Sequence, residues 1–128
     1  KLARPEARVF ALVGDGGFAH CWSELEAARR LDIPVVTIVL NNQILAYQRH
    51  GEEWFSYHHS DASDLGPVDH AAIARACGCF GERVAAPADF APALERALAS
   101  GLPAVLDVIT DDEARPPLTH YRFRPPPP

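Results

Sequence analysis

Arg8-Val-Phe-Ala-Leu-Val-Gly-Asp-Gly-Gly17 decides how this chain is read. Arg8 to Val13 is a short, mostly apolar run with no polar alternation, which predicts a buried strand. It stops at once in Gly14-Asp15-Gly16-Gly17, a glycine-rich turn. Downstream, Cys21 to Leu31 places Trp22, Leu25, Ala28 and Leu31 at helical spacing, with Glu24, Glu26, Arg29 and Arg30 filling much of the remainder. That pattern predicts an amphipathic helix. Pro34 then precedes Val35 to Leu40, all apolar or β-branched, the signature of a strand covered on both faces in a parallel sheet.

The stretch Asn41 to Gly66 differs in kind. It is polar and aromatic, shows no clear periodicity, and is read as a long loop of the sort that often carries function. Asp69 is placed to cap a helix from His70 to Cys77 that ends near Gly78. Arg83 to Ala85 is a weak strand, Asp89 is placed to cap a helix from Phe90 to Ser100 that stops at Gly101, and Pro103 to Ile109 is a last buried strand. Six of the 12 prolines lie between Arg115 and Pro128, so residues 111–128 are expected to form an extended, irregular tail. The order of strands and helices predicts an α/β fold, three-layered, with a mostly parallel sheet and helices on both faces.

Composition narrows the function. The chain has 128 residues, is 48% hydrophobic and 23% charged, and carries a net charge of -5, so it is expected to be one globular domain with no basic face for nucleic acid or anionic membrane. No apolar run approaches the ~20 residues of a membrane-spanning helix. Three cysteines (Cys21, Cys77 and Cys79) cannot all pair within the chain, which suits a reducing compartment and a cytoplasmic location. The chain contains no Met and enters a strand pattern almost at once, which predicts a piece of a longer, N-terminally extended protein.

The chemistry gathers at the strand ends. Ligands of open parallel sheets bind at the carboxyl edge of the strands. Glycines there allow close backbone approach, and the free N–H groups of a helix start favour phosphate oxygens. Asp15 in the same turn would repel a bare phosphate, so its presence makes sense with a divalent cation between them. Mg²⁺ is suited, because it prefers carboxylate, carbonyl and phosphate oxygens. The next strand ends in Asn41-Asn42-Gln43, and adjacent parallel strands would bring Asn42 to the same edge as Asp15, about one strand spacing (~4.8 Å) or a little more away. From these residues alone, a non-catalytic α/β module that binds a Mg²⁺–nucleotide is equally served, although such a site has no use for an amide ligand at the second strand end.

Gly14-Asp15-Gly16, followed after residues 17–40 by Asn41-Asn42, resembles the thiamine diphosphate motif, in which GDG is followed at this spacing by NN. Pro5, Phe10, Leu12 and Gly17, the Glu24-Leu25 pair, Gln43, Val68-Asp69-His70 through Ile73-Ala74 to Gly78, and Arg83-Val84 resemble the acetolactate synthase-like branch. The similarity covers about residues 1–110, the diphosphate-binding domain. It implies that Asp15, Asn42 and the backbone carbonyl of Ile44 bind Mg²⁺, and that Gly14, Gly16 and Gly17, with Leu45 and Ala46, hold the diphosphate of the cofactor. Ala46 departs from the Gly common at that point, which concerns the local turn and not the metal ligands.

The resemblance further implies an enzyme that decarboxylates a small 2-oxo acid and carries out carboligation or a related transfer, a transferase or lyase working as a homo-oligomer. Its activating glutamate would come from a pyrimidine-binding domain of the same or a second subunit, so this polypeptide alone is expected to be inactive. Glu24 and Glu26 are read as solvated or salt-bridged helix residues and not as that glutamate; Glu52 and Glu53 in the loop carry no assignment. Gln48, just past the second motif with Tyr47 and His50, is a candidate substrate contact. Cys77 and Cys79 are read as packing residues, since zinc needs four converging ligands and a wider cysteine spacing. Trp54, Phe55 and Tyr57 are expected to form a subunit interface or to pack the loop on the sheet.

Overall fold

The computed structural model describes residues 1–55 and 58–115; Tyr57 and the tail beyond Arg115 lie outside them. Four strands form one sheet: β1 (Val9–Gly14), β2 (Val35–Asn41), β3 (Phe80–Val84) and β4 (Ala104–Ile109), in the order β1-β2-β4-β3. All three ladders are parallel, with Gly14 opposite Leu40 and Asn41 opposite Ile109. The expected α/β architecture is therefore the one found, and every strand points its carboxyl end to the same edge.

Helices α1 (Asp15–Phe18), α2 (Glu24–Arg30), α3 (Ala46–Trp54), α4 (His70–Ala76) and α5 (Pro87–Ala99) connect the strands. Two apolar clusters fill the space on the two sheet faces. Phe18, Leu25, Val39, Ala74, Cys79 and Val105 pack on one, and Val36, Val84, Ala93, Ala97, Ala104 and Leu106 on the other. Strand periodicity explains the division, since successive residues of β2 and β4 face opposite ways and both faces must be apolar. Helix α4 comes so close to β3 that a Cβ at Gly81 would overlap the Ala71 carbonyl oxygen. Gly78 and Gly101, both with positive φ, end α4 and α5 in the left-handed conformation that glycine adopts without strain.

Several expectations are corrected. Ala46 to Trp54 is a helix, and Asp61–Ser63 is a short 3₁₀ turn, within the stretch read as one loop. Only His50 of α3 is buried, so the helix has no apolar stripe for periodicity to reveal. Helix α5 starts at Pro87 with Ala86 as N-cap, so Asp89 lies in its first turn instead of capping it. Proline at the first helical position was the signal for that start. Asp69 does cap α4, accepting a 2.7 Å hydrogen bond from the Ala72 N–H. Helix α2 begins at Glu24, three residues later than the spacing suggested, and β3 begins at Phe80.

The largest correction concerns β1. It is an edge strand, with Phe10 47% and Leu12 69% exposed, and is not covered on both faces. Helix α5 packs mainly over β3 and β4 and reaches Val36 of β2, so on its side of the sheet β1 and the end of β2 stay open.

Candidate functional site

Two corners of the chain meet at the carboxyl edge of the sheet. In the first, β1 ends at Gly14 and the backbone turns directly into α1, so Asp15 is the first helical residue. Its side chain is 5% exposed. Asp15 Oδ1 accepts a hydrogen bond from the Gly16 N–H at 2.8 Å, and Oδ2 accepts one from the Gln43 N–H at 2.7 Å. The second bond crosses to the other corner, so one carboxylate fixes both.

In the second corner, β2 ends at Asn41 and the chain passes Asn42 into Gln43, whose φ is +61°. That left-handed residue reverses the backbone direction at a cost that its tethering to Asp15 helps to offset. Ile44 and Leu45 are pinned from the far side: the Leu45 N–H donates to the Ser63 carbonyl, the Leu65 N–H donates to the Gln43 carbonyl, and Ile44 bridges Asp64. Helix α3 then starts at Ala46 with no side-chain cap. A cleft of about 700 Å³ lies between the corners, and Gly14, Asp15, Gly16, Gly17, Asn42, Ile44, Leu45 and Ala46 all line it, together with Leu40, Tyr47 and Gln48. Every residue singled out from the two motifs is thus in one place.

Close approach explains Gly16, whereas a Cβ at Gly14 would meet nothing within 4 Å. A Cβ at Gly16 would come within 2.6 Å of Leu45 Cδ2, so the Leu45 side chain lies where it does because residue 16 has no side chain. The starts of α1 and α3 both face the cleft, and the uncapped N–H groups at a helix start attract anions. Beside them stand the Asp15 carboxylate and the Asn42 Oδ1, the latter engaged among the described residues only by a 3.3 Å contact from the Ile44 N–H. Each Asp15 oxygen accepts a single N–H and keeps a lone pair for a further partner. Carboxylate and amide oxygens next to anion-seeking helix starts form a donor set that fits a hard cation bridging to phosphate. Among the described residues no titratable cation lines the cleft to neutralise Asp15.

Other sequence candidates separate. Tyr47 and Gln48 reach the cleft, Tyr47 being 86% exposed at its mouth. His50 does not; it is buried, with Nε2 3.2 Å from the Asp112 carbonyl. Glu26 pairs with Arg30, Glu52 with His59 and Glu53 with Arg115, and none of them lines the cleft, nor does Glu24. Cys79 is buried and donates to the Leu25 carbonyl, Cys77 packs at the rim of the same cluster, and all three cysteines are free thiols. Burial pushes the Cys79 thiol above its ordinary range, and the neighbouring Cys77 adds to this. Trp54 and Phe55 are exposed. Sequence reasoning missed Asp107, a carboxylate wholly buried within β4 beneath the second corner. An acidic residue inside an otherwise apolar strand was the available signal.

Comparison with known proteins gives the family. Residues 1–108 match the family described as thiamine pyrophosphate enzyme, C-terminal TPP binding domain. The chain belongs to that family. It is 43% identical over 112 residues to an acetolactate synthase large subunit of Mycobacterium tuberculosis, covering 87% of this chain and 20% of the relative. It is 30% identical over 123 residues to a glyoxylate carboligase of Escherichia coli, covering 85% and 21%. Among solved structures, a thiamine diphosphate-dependent 4-hydroxybenzoylformate decarboxylase of Rhodococcus jostii superimposes with a TM-score of 0.80 at 32% identity, over 86% of this chain and 21% of that one. The chain spans about a fifth of the length of these relatives. It is an acetolactate synthase-like, thiamine diphosphate-binding domain, and among the described residues no helix is long and apolar enough to cross a membrane.

Proposed function

We propose that this domain holds the diphosphate of thiamine diphosphate through Mg²⁺ in the cleft between the two corners. In this reading Asp15, Asn42 and the Ile44 carbonyl take the cation. Gly14, Gly16 and Gly17, with Leu45 and Ala46 at the start of α3, surround the diphosphate. The observation that carries the proposal is the bond from the Gln43 N–H to Asp15 Oδ2, because it locks the carboxylate and the Asn42 turn into one oxygen-rich corner.

When bound, thiamine diphosphate supplies carbanion chemistry, and the protein supplies position and electrostatics. This chain's share is to anchor the charged end. Asp15 and Asn42 would hold the cation that offsets the phosphate charge, and the two helix starts would offer N–H groups to the diphosphate oxygens. The proposed substrate is a 2-oxo acid and the proposed reaction decarboxylation with carboligation or a related transfer, a reading supported by the words carboligase and decarboxylase in the relatives' names. The proposal extends to a homo-oligomeric, cytoplasmic enzyme in which a pyrimidine-binding domain of the same or a second subunit contributes the activating glutamate. The 128-residue polypeptide is then inactive without it. Gln48 and Tyr47, at the cleft mouth, are proposed to face the substrate.

Calorimetry with thiamine diphosphate, with and without Mg²⁺ and with ADP–Mg²⁺ as control, tests the proposal. Mg²⁺-dependent uptake of thiamine diphosphate that is strongly weakened, though still measurable, in Asn42→Ala is the expected result. Preferential binding of ADP–Mg²⁺, indifferent to Asn42, would sink it in favour of a nucleotide-binding module.

A further inference from the structure

Asn41 and Asn42 are adjacent and chemically identical, yet the structure gives them different work. Asn42 lines the cleft, whereas Asn41 is 1% exposed and points into the layer between the sheet and α4. Asn41 Nδ2 donates to Asp107 Oδ1 at 2.8 Å and to the Val68 carbonyl at 3.2 Å, and its own backbone carbonyl accepts from the Thr110 N–H. Asn41 is therefore clamped by side chain and backbone at once.

Asp107 is the other half of that clamp. It is fully buried on β4, where an ionised carboxylate is costly unless its oxygens are all engaged. Besides Asn41, it accepts the His70 N–H at the start of α4 at 3.2 Å and lies 3.5 Å from Arg83 Nε of β3. His70 in turn accepts the Trp22 indole N–H on Nδ1, and its ring meets Phe18 edge-on with centroids 5.5 Å apart. Phe18 ends the short helix that Asp15 begins. One buried carboxylate thus reaches both corners: the Asn42 turn through Asn41, and the Asp15 turn through His70 and Phe18.

We infer that Asp107 is a positioning residue for the ligand cleft, holding Asn42 in place through the Asn41 clamp on one side while Asp15 holds Gln43 on the other. Among the described residues Asn42 has no strong side-chain partner of its own, so its place is set by these two tethers. Outer partners of metal ligands act in this way, and their loss typically weakens metal affinity roughly 10–100-fold. The inference rests on the cation reading above for its effect on binding, but the clamp itself is a property of the chain without ligand.

The test therefore has two arms. In the first, amide hydrogen exchange is measured on the ligand-free chain for wild type, Asp107→Asn and Asn41→Ala. Exchange at Gln43 and Thr110 is expected to rise about tenfold or more, with Val39 and Leu106 unchanged. Unchanged exchange at Gln43, or a uniform rise across the sheet, overturns the inference. Asn41→Ala leaves Asp107 with His70 and Arg83, so it reads the clamp even if Asp107→Asn does not fold. In the second arm, calorimetry with Mg²⁺ and thiamine diphosphate is run on both variants, alone and combined with Asn42→Ala. Weakening of roughly tenfold that adds nothing in the Asn42→Ala background supports action through Asn42. Equal weakening in both backgrounds marks a merely structural role and overturns it. A wild-type chain that takes up no thiamine diphosphate counts against the cation reading, while the exchange arm still decides the clamp.

Discussion

The two halves of the sheet are built from similar sequence and end in opposite states. Ala104 to Asp107 of β4 are fully buried, with α4 on one face and α5 on the other. Val9 to Gly14 of β1 is just as apolar, yet no residue of it is buried, and Phe10, Leu12 and the neighbouring Leu40 stand in solvent on the α5 side of the sheet, beyond the area that the helix covers. An apolar run therefore says that a strand is suited to burial and not that it is buried. Position in the sheet decides that. The open half carries the ligand corners, and the closed half supplies the rigid support beneath them, including Asp107.

The contrast makes graded predictions. Leu106→Ala, in the closed half, is expected to destabilise most, by about 2–5 kcal/mol in urea unfolding, because the site is packed on all sides and cannot collapse. A loss below 1 kcal/mol would mean that the closed half is looser than its packing implies. Gly81→Ala comes next, at about 1–3 kcal/mol, since its new methyl meets the α4 backbone and not a movable side chain.

Gly16→Ala should separate binding from folding. Its methyl meets the flexible end of Leu45, and alanine favours the α1 helix, so stability should change by less than about 1 kcal/mol. Leu45 must nevertheless move at the cleft wall, and uptake of Mg²⁺ with thiamine diphosphate should weaken. A large loss of melting temperature without a binding defect would contradict this division. Leu12→Ser, on the open half, should stay within about 0.5 kcal/mol of wild type. A larger loss would show that something in solution covers β1.

The smallest effect belongs to the rim of the closed half, where Arg96 of α5 holds the Glu82 carboxyl of β3 below the usual carboxylate range through their hydrogen bond. A depressed carboxylate contributes stability above its unfolded pKa near 4.3, which disappears as pH falls through the lower folded value. The melting-temperature difference between wild type and Glu82→Gln should thus be small at neutral pH and shrink below about pH 4. A difference that grows with acidity would reverse the sign and refute the pairing.

Much of the ligand edge was legible because it depends on short-range rules. Glycines after an apolar run mark a strand end, and two such ends in parallel strands must share an edge, so Asp15 and Asn42 could be brought together from their spacing. Helix α3 was not legible, because its one buried residue is His50, whose partner is the Asp112 carbonyl distant in sequence. Nor was the difference between Asn41 and Asn42. Alternation along β2 puts them on opposite sides, but which side is the cleft depends on where α1 and α4 lie.

The residue types, their periodicity and the motif spacing by themselves determined an α/β chain with parallel strands, a glycine turn carrying Asp15 and a second strand end carrying Asn42. These features are local, and backbone sterics and side-chain alternation fix them without help. Tertiary structure alone decided that β1 lies open at the edge, that Gln43 closes onto Asp15, and that Asp107 is buried with Asn41, His70 and Arg83 around it. Those outcomes depend on contacts between residues far apart in the chain, where desolvation requires each buried polar group to find a partner that only the assembled sheet and helices can bring within reach.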